Sequence, residues 1–378
     1  MVSNFMVRQI FMNSLVFSNM LHRPARTVVS IVGIGIGILL IVFTVGLANG
    51  SLRERAARDA NVGAEIMFCP SGGISLAASG TLRLPVSIRA DLEKVDGVAK
   101  AIPIAQTSVP AKDGLTGTRL IEGVNWDEYS SMAGLQIIKG HAFTDGQDQI
   151  LSDALWLEQR KLNVGDKFSI YDRDFEIVGT YEPSAGARIK IPLSTLQTQL
   201  GSEGKSSAFL VKIKDGVTAE AVGDNLFAKF PDNLPILTSN LEELYMQGVP
   251  ALNVFLDVVV GVAAAISALI ILLTMYTTVT ERTRQIGVLK SLGMSNTNVA
   301  WTIVQEALLI SIGGVIFGVA ATFLLKLALT KWTTLTVAIE PRIVFSIVGI
   351  GIVSGLIGAL YPGLRAARLD PVEALNYD

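Results

Sequence analysis

The chain has 378 residues, half of them apolar and only 17% charged, with a mean hydropathy of +0.48. That balance is too apolar for an ordinary soluble chain and indicates a membrane protein. A net charge of −2 leaves no electrostatic footprint for nucleic acid, and a single cysteine, Cys69, excludes an intrachain disulfide framework.

In chain order, Phe5, Ile10, Phe11, Leu15 and Phe17 to Met20 predict an amphipathic interfacial helix over residues 1–26, ended near Pro24. The apolar run from Thr27 to Ala48 is longer than the h-region of a signal peptide and is read as a first span (27–48). Residues 49–250 then have soluble character and form a domain of their own. Three more span-length windows follow, 251–277, 300–325 and 343–361, separated by a charged segment (278–299) and a short loop (326–342), with a polar tail at 362–378.

The domain opens and closes with helical signals. Ser51 to Asp59 continues the first span into water, and Asn240 is placed to cap a helix running toward the second span, so the two predict a paired stalk kinked at Pro250. Ser87 to Val95 reads as a helix before the apolar run Ile102 to Val109. Ala208 to Ile213 reads as a strand, Thr218 caps a helix to Phe230, and Ile236 begins another strand, which gives two βαβ-type halves. Between them Gly165 to Ile170 and Phe175 to Tyr181 predict a hairpin turning at Tyr171 to Asp174, flanked by helices at Ser152 to Leu162 and Ser194 to Leu200 with a serine at each start. The middle block is expected to be an inserted β-rich lobe. Cys69 is read as a buried structural thiol, with an exposed reactive or lipidated thiol as the alternative.

Three patterns carry functional weight. The segment from Glu281 places Ile286, Leu289 and Leu292 on one helical face and Arg282, Arg284 and Lys290 off it, and Gly293 can stop the helix. Such a stripe either seats in a groove of a cytoplasmic partner or lies on the membrane surface. In the tail, Asp370 and Pro371 can start a short helix that docks on the same partner or packs at the membrane. The glycine pairs Gly33 and Gly37, Gly314 and Gly318, and Gly351 and Gly355 let helices approach closely, within one subunit or between two. Asp257 and Lys326, ionisable groups within or at the end of a span, either reach the interface or make a polar contact at a seam.

Catalytic chemistry is poorly supplied. Gly204-Lys205-Ser206 imitates the end of a phosphate-binding loop, but Gln199 stands where its first glycine belongs. His22 and His141 are the only histidines and have no metal-spaced companions. No cofactor is expected in this chain.

The run ERTRQIGVLKSLG and the tail RAARLDPVEALNYD, with Asp370, Pro371, Ala374 and Leu375, resemble the coupling-helix and terminal signatures of the MacB/FtsX-like permeases of ABC transporters. IEGVNWDEY, VGDKFSI and FEIVGTYE resemble that family's periplasmic core. Gln285 stands where the family usually has Glu, and Asn376 where it often has Arg. The resemblance implies an α-helical membrane protein with four transmembrane helices plus an α+β extracytoplasmic domain, built from Porter-like βαβ units and a Sabre-like lobe. It implies a bacterial inner-membrane location with both termini cytoplasmic, which the weak Lys/Arg bias favours only slightly. It implies a cytoplasmic ABC ATPase dimer carrying ATP and Mg, and a second copy or a related permease. Either a periplasmic adaptor with an outer-membrane channel or a lipoprotein carrier completes the implied set. The implied function is export or extraction of a hydrophobic or amphiphilic substrate, with a non-transporting regulator of a cell-wall hydrolase, or an antimicrobial-sensing transducer, as the alternative.

Overall fold

A helix needs roughly 20 apolar residues to cross a hydrocarbon core, and in the computed structural model each apolar window forms one. The structure describes residues 24–71, 82–110, 118–248, 250–332 and 337–375. The interfacial helix expected over residues 1–26, with His22, falls almost wholly outside them, and Pro24 begins the first span helix instead. Among the described residues four helices are long and apolar enough to span: Pro24–Ala60, Pro250–Glu281, Asn296–Trp332 and Pro341–Ala367, here spans 1 to 4. They outrun the apolar windows because the backbone hydrogen-bond ladder continues past the last apolar residue. The chain divides into two compact units, one holding the spans and one holding residues 51–249.

In the membrane unit the spans meet where side chains are smallest, since lipid offers helices no hydrophobic reason to associate. A Cβ on Gly37 would come 3.1 Å from Ser267 Oγ, and one on Gly33 3.4 Å from Ile270, so this pair seats span 1 on span 2. Gly314 and Gly318 seat span 3 on span 1; a Cβ at Gly318 would lie 2.6 Å from the Gly35 carbonyl. Gly351 lies against Val315 and Ile38, and Gly355 against Ser311 and Ile271. All six glycines therefore stand at contacts between spans of one chain, around a centre filled by Ile34, Ile38 and Ile41. The buried hydroxyls of Ser267, Ser311 and Ser354 return to their own helix, donating to the carbonyls four residues back at 2.8–2.9 Å, whereas Ser30 on span 1 meets Thr274 Oγ1 on span 2 at 2.9 Å. Asp257 is exposed and Lys326 half-buried.

In the domain, alternation decides which residues face which layer. Strand β1 (Ile66–Pro70) turns Ile66 and Phe68 to one core and Met67 and Cys69 to the other. The two-residue β2 (Leu84–Pro85) precedes a single 3₁₀ turn and a helix at Arg89–Leu92, and β3 (Val98–Pro110) follows. The later pair is β11 (Ala208–Ile213) and β12 (Asn233–Leu237), joined by a helix at Ala219–Lys229 that Thr218 caps through its side chain. These four strands lie in the order β12-β1-β11-β3 with antiparallel neighbours. The two expected βαβ halves are thus split and interleaved rather than side by side.

The 13-residue β3 carries the sheet into the middle lobe, pairing with β11 along its first part and with β4 (Thr118–Val124) along its second. There β5 (Gln136–Gly140), β6 (Gln149–Asp153), β7 (Lys167–Ile170), β8 (Arg173–Glu182) and β9 (Ile189–Pro192) complete a mixed sheet in the order β4-β9-β6-β8-β5, with β7 on β8. The β7–β8 hairpin turns at Tyr171 and Asp172, both at positive φ, as a two-residue primed turn requires. Among the described residues β10 (Lys205–Ser206) pairs only with β2, so Gly204-Lys205-Ser206 is a strand end; Ser206 is buried and donates to the Leu84 carbonyl at 3.2 Å.

Three capping expectations are corrected. Asp153, not Ser152, caps the helix Ala154–Arg160, accepting from Trp156 N at 3.2 Å, because it is the residue directly before the helix and its carboxylate reaches the free amide. The helix Leu193–Gln199 starts after Pro192, whose extended backbone ends β9, and Ser194 is inside it. Asn240 makes no side-chain cap on Leu241–Gln247, because it is itself in a helical turn. Pro250 opens span 2 instead of kinking a continuous arm. Cys69 is free and buried, and burial pushes its thiol up to about 12, which leaves it inert.

The domain's centre holds a fully buried ion pair. Lys190 Nζ on β9 lies 2.5 Å from Glu122 Oε2 on β4 and 3.1 Å from Tyr129 Oη, with its charge 4.1 Å from the centre of the Tyr129 ring. Glu122 also accepts from Gln106 Nε2, Tyr129 Oη and the Ala187 amide. Gly186, at φ +59°, is required beside it, since a Cβ there would come 2.5 Å from both Glu122 Oε2 and Tyr129 Oη. Burial pushes the Lys190 ammonium down from its ordinary range, against the pull of Glu122.

Two outcomes follow. Gly318→Leu should lower the thermal midpoint of the detergent-solubilised chain, with an overpacking cost of about 1–3 kcal/mol, whereas Gly349→Leu, with nothing within 4 Å of its Cβ, should leave it unchanged. Lys190→Met should cost roughly 3–5 kcal/mol by stranding a buried carboxylate, and adding Glu122→Met should recover most of the loss; equal losses in single and double variants would show that the pair is not what matters there.

Candidate functional site: the short helix between spans 2 and 3

Arg282 leaves helical geometry at φ −106°, ψ 14°, which separates span 2 from a nine-residue helix, Thr283–Ser291. The helix closes with paired bonds from Gly293 N to the Lys290 carbonyl (2.9 Å) and from Met294 N to the Leu289 carbonyl (3.0 Å), with Gly293 at φ +92°. That left-handed closing residue is where glycine is favoured. Span 3 then starts on Ser295, whose carbonyl accepts from Val299 N at 3.1 Å.

The expected stripe divides in two. Ile286 is buried against spans 2 and 3, Leu289 is half-buried, and Leu292 is 80% exposed. Arg284, Val288 and Leu292, at a spacing of four, form the outward stripe with Gln285 beside it. Under the helix lies a cavity of about 350 Å³ walled by Val279, Ile286, Leu289, Val299 and Ile303, with the Arg282–Glu306 ion pair (3.5 Å) on its lining. Glu281 pairs with Arg26, which also donates to Thr278 Oγ1 at 3.2 Å and so ties the start of span 1 to the end of span 2. Nearby, Tyr276 and Tyr361 stack, and Arg365 lies over the Tyr276 ring at 4.6 Å.

The two signature segments meet. Lys290 Nζ donates to the Ala367 and Leu369 carbonyls at 2.9 and 2.5 Å. Asp370 caps the tail helix Pro371–Leu375 through Val372 N at 2.8 Å, and Ala374 is buried against Gly287, where a Cβ would lie 2.8 Å from that of Ala374. The sequence pattern missed Gly287, Val288 and Arg26. Gly287 was the available signal, since glycine inside a short helix costs about 1 kcal/mol against alanine and needs a packing reason.

Residues 51–60 and 241–247, where the sequence predicts a paired stalk, are tied to each other within the domain. Arg53 bridges to Glu242 at 3.0 Å and Tyr245 Oη donates to Asp59 at 2.6 Å. Arg188 links Glu54 at 2.7 Å to Asp153 at 3.4 Å, and Arg58 Nη1 donates to the Gly186 carbonyl at 2.9 Å.

Residues 27–228 match the model of the MacB-like periplasmic core domain, and residues 258–371 that of the FtsX-like permease C-terminal domain. The chain is 23% identical to the uncharacterized ABC transporter permease YknZ of Bacillus subtilis, across 96% of this chain and 98% of that one. It is 24% identical to the macrolide export ATP-binding/permease protein MacB of a Shewanella species, across 94% of this chain but 58% of that protein. The chain thus spans nearly all of one relative and about three fifths of the other. Among solved structures, the periplasmic region of MacB from Actinobacillus actinomycetemcomitans aligns at 16% identity and a TM-score of 0.38, covering 50% of this chain and 95% of that one. With a family model over more than half its length, a second over spans 2 to 4, and four helices long and apolar enough to span a membrane, the chain belongs to the MacB/FtsX-like family of ABC transporter permeases.

Proposed function

We propose that the chain is the membrane subunit that carries the motion of a separate cytoplasmic ATPase dimer to its large domain, for export or extraction of a hydrophobic or amphiphilic substrate. The observation that carries this reading is the outward stripe Arg284, Val288 and Leu292 on a short helix anchored at both ends to spans. A helix this short has too little surface of its own to be a domain, and its exposed apolar side chains suit a groove in a partner. The match to YknZ, named as a permease and matched over nearly its full length, supports hydrolysis by another chain.

In this reading the short helix and the tail face the cytoplasm and residues 51–249 lie outside, and two permease chains sit on the ATPase dimer. The exposed apolar faces of the spans, Val258, Val262, Ile266 and Leu273 among them, meet lipid or the second permease. ATP-driven closure pushes the short helix, and the spans pass the displacement to the stalk and the domain. An adaptor with an outer-membrane channel, or a lipoprotein carrier, would receive the substrate.

Val288→Asp and Leu292→Asp should each weaken ATPase binding roughly tenfold to a hundredfold, the value of burying one such side chain, with membrane insertion intact. Co-purification at the native level would overturn the docking stripe. Ile286→Asp should instead lower the yield of folded protein, since it puts a charge in the packed core of the membrane unit. For orientation, a reporter after Gly201 should register outside the cytoplasm and one after Ser295 inside; the reverse would overturn the topology.

A further inference from the structure

Spans 2 and 3 are joined covalently to the short helix, through Arg282 on one side and residues 292–295 on the other. Span 4 has no such link. Its contact with the helix is made by Lys290 and by the tail that follows span 4.

We propose that Lys290 and the tail helix Pro371–Leu375 form a pin that makes the short helix and the end of span 4 move as one body. A push on the helix is then delivered to span 4 as well as to its covalent neighbours. The inference rests on the proposed function for the source of the push, and on the geometry alone for the pin.

The chemistry of the pin is specific. The last carbonyls of a helix have no partner within it and carry the negative end of its dipole. Lys290 donates to the carbonyl of Ala367, the last residue of span 4, and to that of Leu369 two residues on. Lys290 also lies in the last turn of its own helix, where a cation is favoured, and its ammonium reaches the negative end of span 4. One turn earlier on the same face, Gly287 presents bare backbone to Ala374, and any side chain there would push the tail away. Asp370 holds the tail helix in the pose that brings Ala374 there, through its side chain to Val372 N and its carbonyl to Ala374 N at 2.9 Å. Two contacts three residues apart fix position and also rotation, which one bond cannot do. Deeper in the unit span 4 already lies on span 2, where Gly358 faces Ala268 and Ile271. The pin holds the end at which the push arrives.

The pin residues are positioning residues, and the outward stripe is left to the partner. The test uses the full chain with its ATPase in nanodiscs. Cysteines for spin labels replace Thr297 and Leu364, both exposed, and buried Cys69 stays in place. With Lys290 present the label separation should be the same without nucleotide and with ATP trapped. Lys290→Met should hold the ATPase normally, yet shift or broaden that separation on ATP trapping and lower permease-dependent ATP turnover about fivefold, the small end of typical couplings.

Lys290→Arg, which can still donate to both carbonyls, should restore both readouts. Gly287→Leu should reproduce the Lys290→Met defect without a change of charge, and serves where Lys290→Met folds poorly. Unchanged separation and turnover in Lys290→Met and Gly287→Leu would overturn the pin. Loss of the ATPase from Lys290→Met would also overturn it, making Lys290 a docking contact. Failure of the unsubstituted chain to bind any ATPase would overturn the proposed function instead, with the pin still read from the tail's amide hydrogen exchange in Lys290→Met against the parent.

Discussion

Every membrane helix must end, and its end leaves amides or carbonyls that need partners. Around the short helix the chain meets this demand four times in under a hundred residues. Gly293 closes one helix, Ser295 opens the next, Lys290 covers carbonyls at the end of span 4, and Asp370 starts the tail. Each solution uses a residue whose chemistry is fixed, so the path of the chain around the short helix is fixed as well. The outward stripe exists because the other faces of the helix are already committed: Ile286 to the spans, Gly287 and Lys290 to the tail.

Backbone chemistry dominates the membrane unit for the same reason. Glycines bring helices to contact distances that no other residue permits, and Ser267 and Ser311 answer their own helix rather than a neighbour. In the domain the hydrophobic effect operates normally, and strand alternation sorts Ile66 and Phe68 from Met67 and Cys69 with no such devices. At Lys190 and Glu122 the domain departs from this, with an ion pair closed by Gln106, the Ala187 amide and both the hydroxyl and the ring of Tyr129. Burying such a pair is costly even when it is well paired. What the pair supplies is a fixed register between β4 and β9, whose parallel pairing sets Glu122 directly opposite Lys190.

Local signals were legible where they were strong. Ala208–Ile213, the β7–β8 hairpin and the Thr218 cap stand where alternation, turn residues and capping chemistry put them. The split of the two βαβ halves was not legible, because alternation says which face a residue takes and nothing of which strand lies beside it. Capping residues were misassigned where two candidates were adjacent, as at Ser152 and Asp153, since only geometry decides which oxygen reaches the amide. At the candidate site the apolar residues were identified but not their division: Ile286 and Leu292 are equally apolar, and their burial differs only because spans 2 and 3 cover one of them. Lys290 read only as a charge off the apolar face, because its acceptors are backbone carbonyls about eighty residues away, invisible to any side-chain pattern.

Gln285 completes the electrostatic picture of that helix. It is exposed and lines the cavity's edge, where the family usually carries an acid. With Glu281 paired to Arg26, and Lys290 turned to the tail, the outward surface of the helix keeps one charged side chain, that of Arg284. A neutral amide next to that cation leaves the surface positive where an acid would have neutralised it. Exposed ion pairs contribute little in any case, about 0–1 kcal/mol, whereas burying Val288 and Leu292 contributes roughly 1.5–3 kcal/mol each. In the proposed docking, affinity would therefore come from the two apolar side chains, and Arg284 would act on which partner is chosen, because a groove bearing a basic residue at that point is repelled.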